Sequence, residues 1–238
     1  MLTYQLTQKK PDLIKRRLRE GAMALLPEGY DVDTHFNPTY NPWDQRLCLV
    51  PNGDLFTAIS SGKAEIVTDT IESFTSDGIL LTSGKELKAD IIVTATGLVM
   101  QLLGGMSISV DGVPVDLGKT VSYKGIMLSG VPNLGTTFGY TNASWTLKAD
   151  LTADYICRLL NKMEKLGVHQ ATPKVPSDQN LEPTMGLTSG YVKRAQGNLP
   201  LQAAKKPWKL YQNFALDTLM LKHGRIDNEM VFSNAGKR

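Results

Sequence analysis

Cysteine is scarce in this sequence: Cys48 and Cys157 are the only two in 238 residues. They form neither a CxxC redox pair nor a metal-like spacing, which excludes a disulfide framework and points to reduced thiols in a cytoplasmic chain. His35, His169 and His223 stand far apart with no HExxH pattern, so no metal is expected. No apolar run approaches the ~18 residues needed to cross a bilayer, and the opening MLTYQLTQKK has no apolar core of a secretory signal. Export and membrane spanning are therefore disfavoured, and the glycosylation-like triplet Asn142-Ala143-Ser144 loses its context. An excess of one charge is also lacking. Twenty-six Lys and Arg against 23 Asp and Glu leave +3, too dispersed for nucleic acid to be an expected partner, and KKPDLIKRRLRE reads as the solvated face of one helix. What remains, 42% hydrophobic and 21% charged residues, suits a soluble protein with one sizeable core or two modest ones.

Leu13, Ile14, Leu18, Ala22, Leu25 and Leu26 recur at helical spacing, with Asp12 as a cap after Pro11 and Pro27 and Gly29 ending the run. Residues 31–51 hold Asn37, Pro38, Asn41, Pro42 and Pro51 around Trp43 and Arg46, a composition that predicts ordered loop. A short helix at DLFTAISSG follows, then a strand over residues 64–68. TIESFT and ILLTS flank Ser76-Asp77-Gly78 as a hairpin, and DIIV (residues 90–93) reads as a buried parallel strand. Asp111-Gly112 predicts a second small hairpin, and residues 126–129 another buried strand. The longest helix is expected to open with Asn142 as N-cap, carry Leu147, Leu151, Tyr155 and Leu159 on one stripe, and stop at Gly167. Prolines then interrupt the chain until a helical stretch over residues 210–222.

One other pattern fails on inspection. GVPVDLGKT (residues 112–120) resembles a phosphate-binding loop but has five residues where four are needed, and it follows a hairpin instead of a buried strand. Trp43 either lines a pocket or anchors its loop, and Trp145 is assigned to the core.

YNPWDQRLCLVPNGDLF, KAEIVTDTIESFT, ADIIVTATGL and GIMLSGVPNLGTTFGYTNASWTLKADL, in this order, resemble the class B flavoprotein monooxygenases, the flavin-containing and Baeyer–Villiger enzymes, and in particular their mycobacterial ethionamide-activating type. GYVKR and PWKLYQN add weaker support, and the similarity covers most of residues 10–225. The resemblance implies an α/β fold made of the C-terminal parts of two Rossmann-like dinucleotide-binding domains, a parallel sheet with inserted antiparallel hairpins, plus a helical and irregular C-terminal extension. The corresponding divisions are residues 1–98 for the NADPH-binding part with its linker, 99–167 for the FAD-binding part, and 168–238 for the extension. It implies FAD and NADPH as cofactors, and dioxygen and a small-molecule ketone, aldehyde or thioether as substrates.

The same resemblance implies roles for named residues. Arg46 would face the flavin near the nicotinamide, where a permanently charged guanidinium stabilises negative charge developing on oxygen. Without the resemblance it reads as a surface arginine paired with Asp44 or Asp54. Thr96 and Gly97 would lie where the chain passes from one dinucleotide domain to the other. Asn142, Ala143 and Ser144 would lie beside the flavin's pyrimidine edge, under the positive end of the long helix. The family's two GxGxxG phosphate loops and the FxGxxxH motif between them are absent from these 238 residues. The expectation is therefore a C-terminal fragment, inactive by itself: a truncated gene model, a split gene, or a fragment whose N-terminal half is supplied by another chain. The alternative is a non-catalytic remnant or interaction module.

Overall fold

The computed structural model describes residues 2–234, and the chain divides into two units, Leu2–Leu98 and Val99 onward.

The first unit opens with two helices, α1 (Leu2–Lys9) and α2 (Pro11–Met23), the second starting at a proline that fits the first helical turn because its missing N–H would be unpaired there. Lys10, not Asp12, occupies the N-cap. Ile14, Ala22 and Leu26 are buried, whereas Leu18 and Leu25 stay about half exposed. On the solvated face expected of this helix, Arg19 forks onto Asp33 through Nε (2.7 Å) and Nη2 (2.6 Å). One turn, α3 (Val32–His35), interrupts the predicted loop, and α4 (Asp54–Ser60) forms where DLFTAIS predicts it. Ala22, Leu26, Val32 and Ile59 make a small core with Phe36 and Phe56 stacked at 5.5 Å. The hairpin at Ser76-Asp77-Gly78 is present and extended to three antiparallel strands, β1 (Ile71–Phe74), β2 (Gly78–Leu81) and β3 (Glu86–Lys88).

Two strand expectations fail in this unit. Residues 64–68 carry no ladder, and Ala64 and Ile66 pack instead against the small core. The predicted buried strand over residues 90–93 joins no ladder, with Ile91 83% and Val93 81% exposed. A parallel strand needs neighbours on both edges and covering helices on both faces, and no described residues supply either. The Rossmann-like parallel sheet is accordingly not seen. Every ladder among the described residues is antiparallel, and parallel pairing is confined to the bridges Pro42 to Gln45 and Val121 to Leu201. The fold is mixed α and β with small antiparallel sheets.

In the second unit, β4 (Ser109–Val110) and β5 (Val113–Pro114) form the Asp111-Gly112 hairpin. The next hairpin, β6 (Ser122–Tyr123) with β7 (Met127–Leu128), is fully buried. Helix α5 (Trp145–Leu166) ends at Gly167 as expected, and its Leu151, Tyr155, Leu159 and Met163 recur every four residues on one buried face. That face packs on Val121, Tyr123, Met127, Ala171, Trp208 and Leu221, each large apolar side chain contributing about 1.5–3 kcal/mol relative to exposure. β8 (Gln170–Pro173) pairs with β11 (Met230–Ser233), and β9 (Leu181–Pro183) with β10 (Leu201–Ala203). Between them lie α6 (Gly190–Ala195) and α7 (Phe214–Thr218), the latter capped by Asn213 and continued by a π turn, so the last predicted helix starts four residues later than residue 210.

Polar side chains in and at the edge of this core fasten residues 224–229. Tyr123 Oη donates to Asn228 O (2.8 Å), Tyr155 Oη to Ile226 O (2.9 Å), Arg158 Nη2 to Gly224 O (3.1 Å), and Lys162 pairs with Asp227 at 2.7 Å. Lys124, 1% exposed, donates to Arg225 O and lies 4.8 Å from the Tyr155 ring centroid. Burial, reinforced by the Arg158 guanidinium and opposed by Asp227, lowers its pKa from 10.5 to about 8.

Between those two values the unfolded chain holds a proton that the folded chain has released, so stability rises with pH. Above about pH 10 the sign reverses, because burial pushes the Tyr123 and Tyr140 phenols up and the unfolded chain loses protons first. The expected result in pH-dependent urea unfolding is a gain of about 1 kcal/mol from about pH 8 to about pH 9.5, then a decline. Lys124→Met should flatten the rising limb; a native chain that is flat there would contradict the assignment.

Candidate functional site

In the unit Leu2–Leu98 the Asn-Pro-rich loop forms one wall of a mostly apolar groove of about 700 Å³, lined among others by Leu18, Leu25, Pro42, Trp43, Arg46 and Phe56. The loop is tied by a tight turn, in which Asp44 N–H donates to Asn41 O (3.0 Å) and Asn41 N–H returns to Asp44 Oδ2 (3.1 Å). Trp43 at the turn's centre has φ +70, a conformation disfavoured for a bulky side chain, and packs edge-on against Tyr4 at 5.5 Å. It therefore does both things expected of it: it anchors the loop and lines the groove. Arg46 is exposed on the groove wall. Thr96 and Gly97 lie on the exposed, unpaired stretch after residue 90 and do not line this groove; Gly97 has φ +114, where a Cβ would be strained.

The other three predicted residues lie in the second unit, on the loop leading into α5. Thr141, Asn142 and Ala143 form bends, and Ser144 immediately precedes the helix. The N-cap is Ser144, not Asn142, and no side chain caps the first turn, because the Ser144 hydroxyl is bonded to Thr146 Oγ1 at 2.8 Å. Asn142 does not cap the helix; its Nδ2 donates to Gln212 O at 3.0 Å. Among the described residues its Oδ1 is the one buried side-chain N or O atom with no hydrogen-bond partner. Trp145, expected in the core, is half exposed and packs against Phe138 at 5.5 Å. A Cβ on Gly139 would come within 2.1 Å of the indole, so only glycine lets this ring lie where it does.

Next to this loop is a cavity of about 60 Å³, with Leu128, Phe138 and Leu210 among its apolar walls and Tyr140, Lys148 and Asp217 at its polar end. One carboxylate oxygen, Asp217 Oδ2, receives both the Tyr140 hydroxyl (2.8 Å) and the Lys148 ammonium (2.9 Å), the two charged side chains each 5% exposed. Burial, and the Asp217 acceptor second, push the Tyr140 phenol well above its ordinary range, so it stays a donor. The sequence reading missed all three. A signal existed for one of them: Lys148 occupies the position one turn before Leu151 on the buried stripe of α5, where a charge requires a buried counter-charge. Its partner lies 69 residues away, beyond any local spacing rule.

Among the described residues no group of three or more His, Cys, Asp or Glu side chains is arranged to hold a metal ion, and no helix is long and apolar enough to cross a membrane.

Sequence comparison gives the class: the chain is a homologue of the flavin monooxygenases. It is 54% identical over 229 residues, 96% of its own length, to FAD-containing monooxygenase EthA of Mycolicibacterium smegmatis. The same identity holds over 231 residues with the EthA of Mycobacterium tuberculosis strain H37Rv, and 48% over 230 residues with the Probable FAD-binding monooxygenase AlmA of Acinetobacter baylyi. The chain spans just under half the length of these relatives, 46% of each. No protein-family model matches it.

Proposed function

We propose that this chain works as the C-terminal portion of a flavin monooxygenase, which uses FAD, NADPH and dioxygen to place one oxygen atom on a ketone, aldehyde or thioether. The observation that carries the reading to particular residues is the buried, unpartnered Asn142 Oδ1 in the loop that runs into α5, whose first turn no side chain caps. A flavin's pyrimidine edge alternates carbonyl oxygens with an imide N–H. An orphaned acceptor next to helix N–H donors matches both kinds of group, and the positive helix end favours the negative charge of a reduced ring. The residues therefore fit the ring edge. They do not fit the pyrophosphate: no two glycines of the 238 stand in the G-x-G arrangement that begins such a loop. That group requires a further portion of protein.

Bound FAD would supply the activation of dioxygen. The chain's own contribution is electrostatic and steric. Arg46 presents a fixed cation from a loop held by Trp43 and the Asn41-Asp44 turn, suited to stabilising an oxyanion as it develops. Asn142, Ala143 and Ser144 orient the ring edge, and Thr96 and Gly97 belong to the passage between the two dinucleotide domains. The divisions at residues 1–98, 99–167 and 168–238 are part of this proposal, as is an N-terminal half brought by another chain.

The test is oxygen transfer itself. The chain is co-expressed with the part of the Mycolicibacterium smegmatis relative that it does not match, and the purified assembly is given NADPH and a simple thioether under air. Sulfoxide formed in proportion to NADPH consumed supports the reading. NADPH-independent behaviour, or no product from a flavin-containing assembly, counts against it.

A further inference from the structure

The loop before α5 is irregular yet partly buried: residues 140–144 form neither helix nor strand, and Tyr140 is only 2% exposed. What fixes it is a second segment some seventy residues downstream. Gln212 Oε1 accepts from the Thr141 N–H (2.9 Å) and the Thr141 hydroxyl (3.3 Å), and the Gln212 carbonyl accepts from Asn142 Nδ2 (3.0 Å). Five residues later Asp217 takes the Tyr140 hydroxyl and the Lys148 ammonium on one oxygen. The intervening turn is itself rigid: Asn213 Oδ1 caps α7 through Leu216 N–H (3.2 Å), and Asn213 O accepts from Asp217 N–H (3.0 Å). Gln212 has φ +48, a left-handed conformation costly for glutamine and retained where surrounding bonds over-determine it.

One consequence is chemical. A backbone carbonyl can only accept, so the Asn142 amide must present its nitrogen to Gln212 O and leave its oxygen as the free end. The downstream segment thus sets both where the loop sits and which pole of Asn142 it offers. We propose that Gln212 and Asp217 are positioning residues, a strap that holds the 140–144 loop in register with α5 and makes Asn142 an acceptor toward its ligand; this rests on the reading that the loop faces a flavin. Neither strap residue is assigned a contact with the cofactor. They act through Tyr140, Thr141, Asn142 and Lys148.

The test has two readouts on the full chain and its variants. In amide hydrogen exchange, which needs no flavin, Gln212→Ala is expected to speed exchange across residues 140–147 at least about tenfold, leaving the paired strands β8 and β11 unchanged. Gln212→Glu should restore slow exchange, because its carboxylate still accepts from Thr141 N–H. Unchanged exchange in Gln212→Ala, uniform acceleration throughout the unit, or failure of the glutamate to rescue would each overturn the strap. In the co-expressed assembly, Gln212→Ala should weaken flavin retention by about tenfold and Gln212→Glu should recover it; retention equal in all three chains would overturn the positioning role. An assembly that holds no flavin even with native Gln212 overturns the flavin reading and the strap's role toward it together. That outcome is told apart from failure of the strap by an exchange pattern that still behaves as expected.

Discussion

Arg46→Ala in the flavin-loaded assembly is expected to lower the rate of oxygen transfer by about 10²–10³-fold, the usual effect of removing a preorganised charge from the place where an oxyanion develops. Folding should be nearly untouched, within about 0.5 kcal/mol, because the side chain is exposed on the groove wall and its loop is held by other contacts: the Asn41-Asp44 turn and the Tyr4–Trp43 ring pair. Arg46→Lys keeps the charge but not the planar fork of donors, so it should recover only part of the rate. Product formation and NADPH consumption are followed together, since loss of oxyanion stabilisation shows as NADPH consumed without product. A rate within about threefold of the native chain would return Arg46 to the role of a surface arginine.

Asp217→Ala is expected to destabilise the chain by about 3–5 kcal/mol, the largest single-site effect on folding anticipated here. The carboxylate is buried and answers two groups at once. Without it the Lys148 ammonium, 5% exposed, is left with the Lys124 carbonyl at 3.3 Å and the face of the Tyr140 ring at 5.8 Å, neither of them a counter-charge, and the Tyr140 hydroxyl loses its acceptor. Urea unfolding followed through Trp208, which is 1% exposed, reads this directly. A variant too unstable to purify leaves the double substitution Asp217→Leu with Lys148→Met as the decisive comparison. Replacing both charges by apolar groups should recover most of the loss, because breaking a buried pair is far costlier than removing it whole. A single variant within about 1 kcal/mol of native would mean that the pair contributes little.

What the sequence disclosed and what it hid divide along a physical line. Signals confined to a few neighbouring residues were read well: the Ser76-Asp77-Gly78 and Asp111-Gly112 hairpins, the helix at DLFTAIS, and the stop of α5 at Gly167 each rest on turn or capping chemistry within one or two turns of chain. Readings that depended on distant partners did not survive. DIIV has the composition of a buried parallel strand, but composition does not provide flanking strands, and Ile91 and Val93 stand exposed without them. Residues 64–68 met a small core before they met a ladder.

The candidate site shows the same division. The start of α5 was legible to within two residues because its signals lie in one stretch of chain, although Ser144 and not Asn142 takes the N-cap. Gln212 and Asp217, which hold that stretch in place, were invisible because their hydrogen bonds to it span 69 to 77 residues. Within Leu2–Leu98, Trp43 illustrates an ambiguity that was real: pocket wall and loop anchor proved to be one arrangement.

The central claim is that these residues hold the ring edge of a flavin but not its pyrophosphate, and the visible spectrum of the desalted protein tests it most directly. The chain is incubated with FAD alone, and separately co-expressed with the portion of the Mycolicibacterium smegmatis relative that it does not match. The account predicts no flavin absorption from the chain alone and a retained flavin spectrum from the assembly. Flavin retained by the chain alone would contradict it, by requiring a phosphate site among residues that contain no G-x-G, and a colourless assembly would contradict it from the other side.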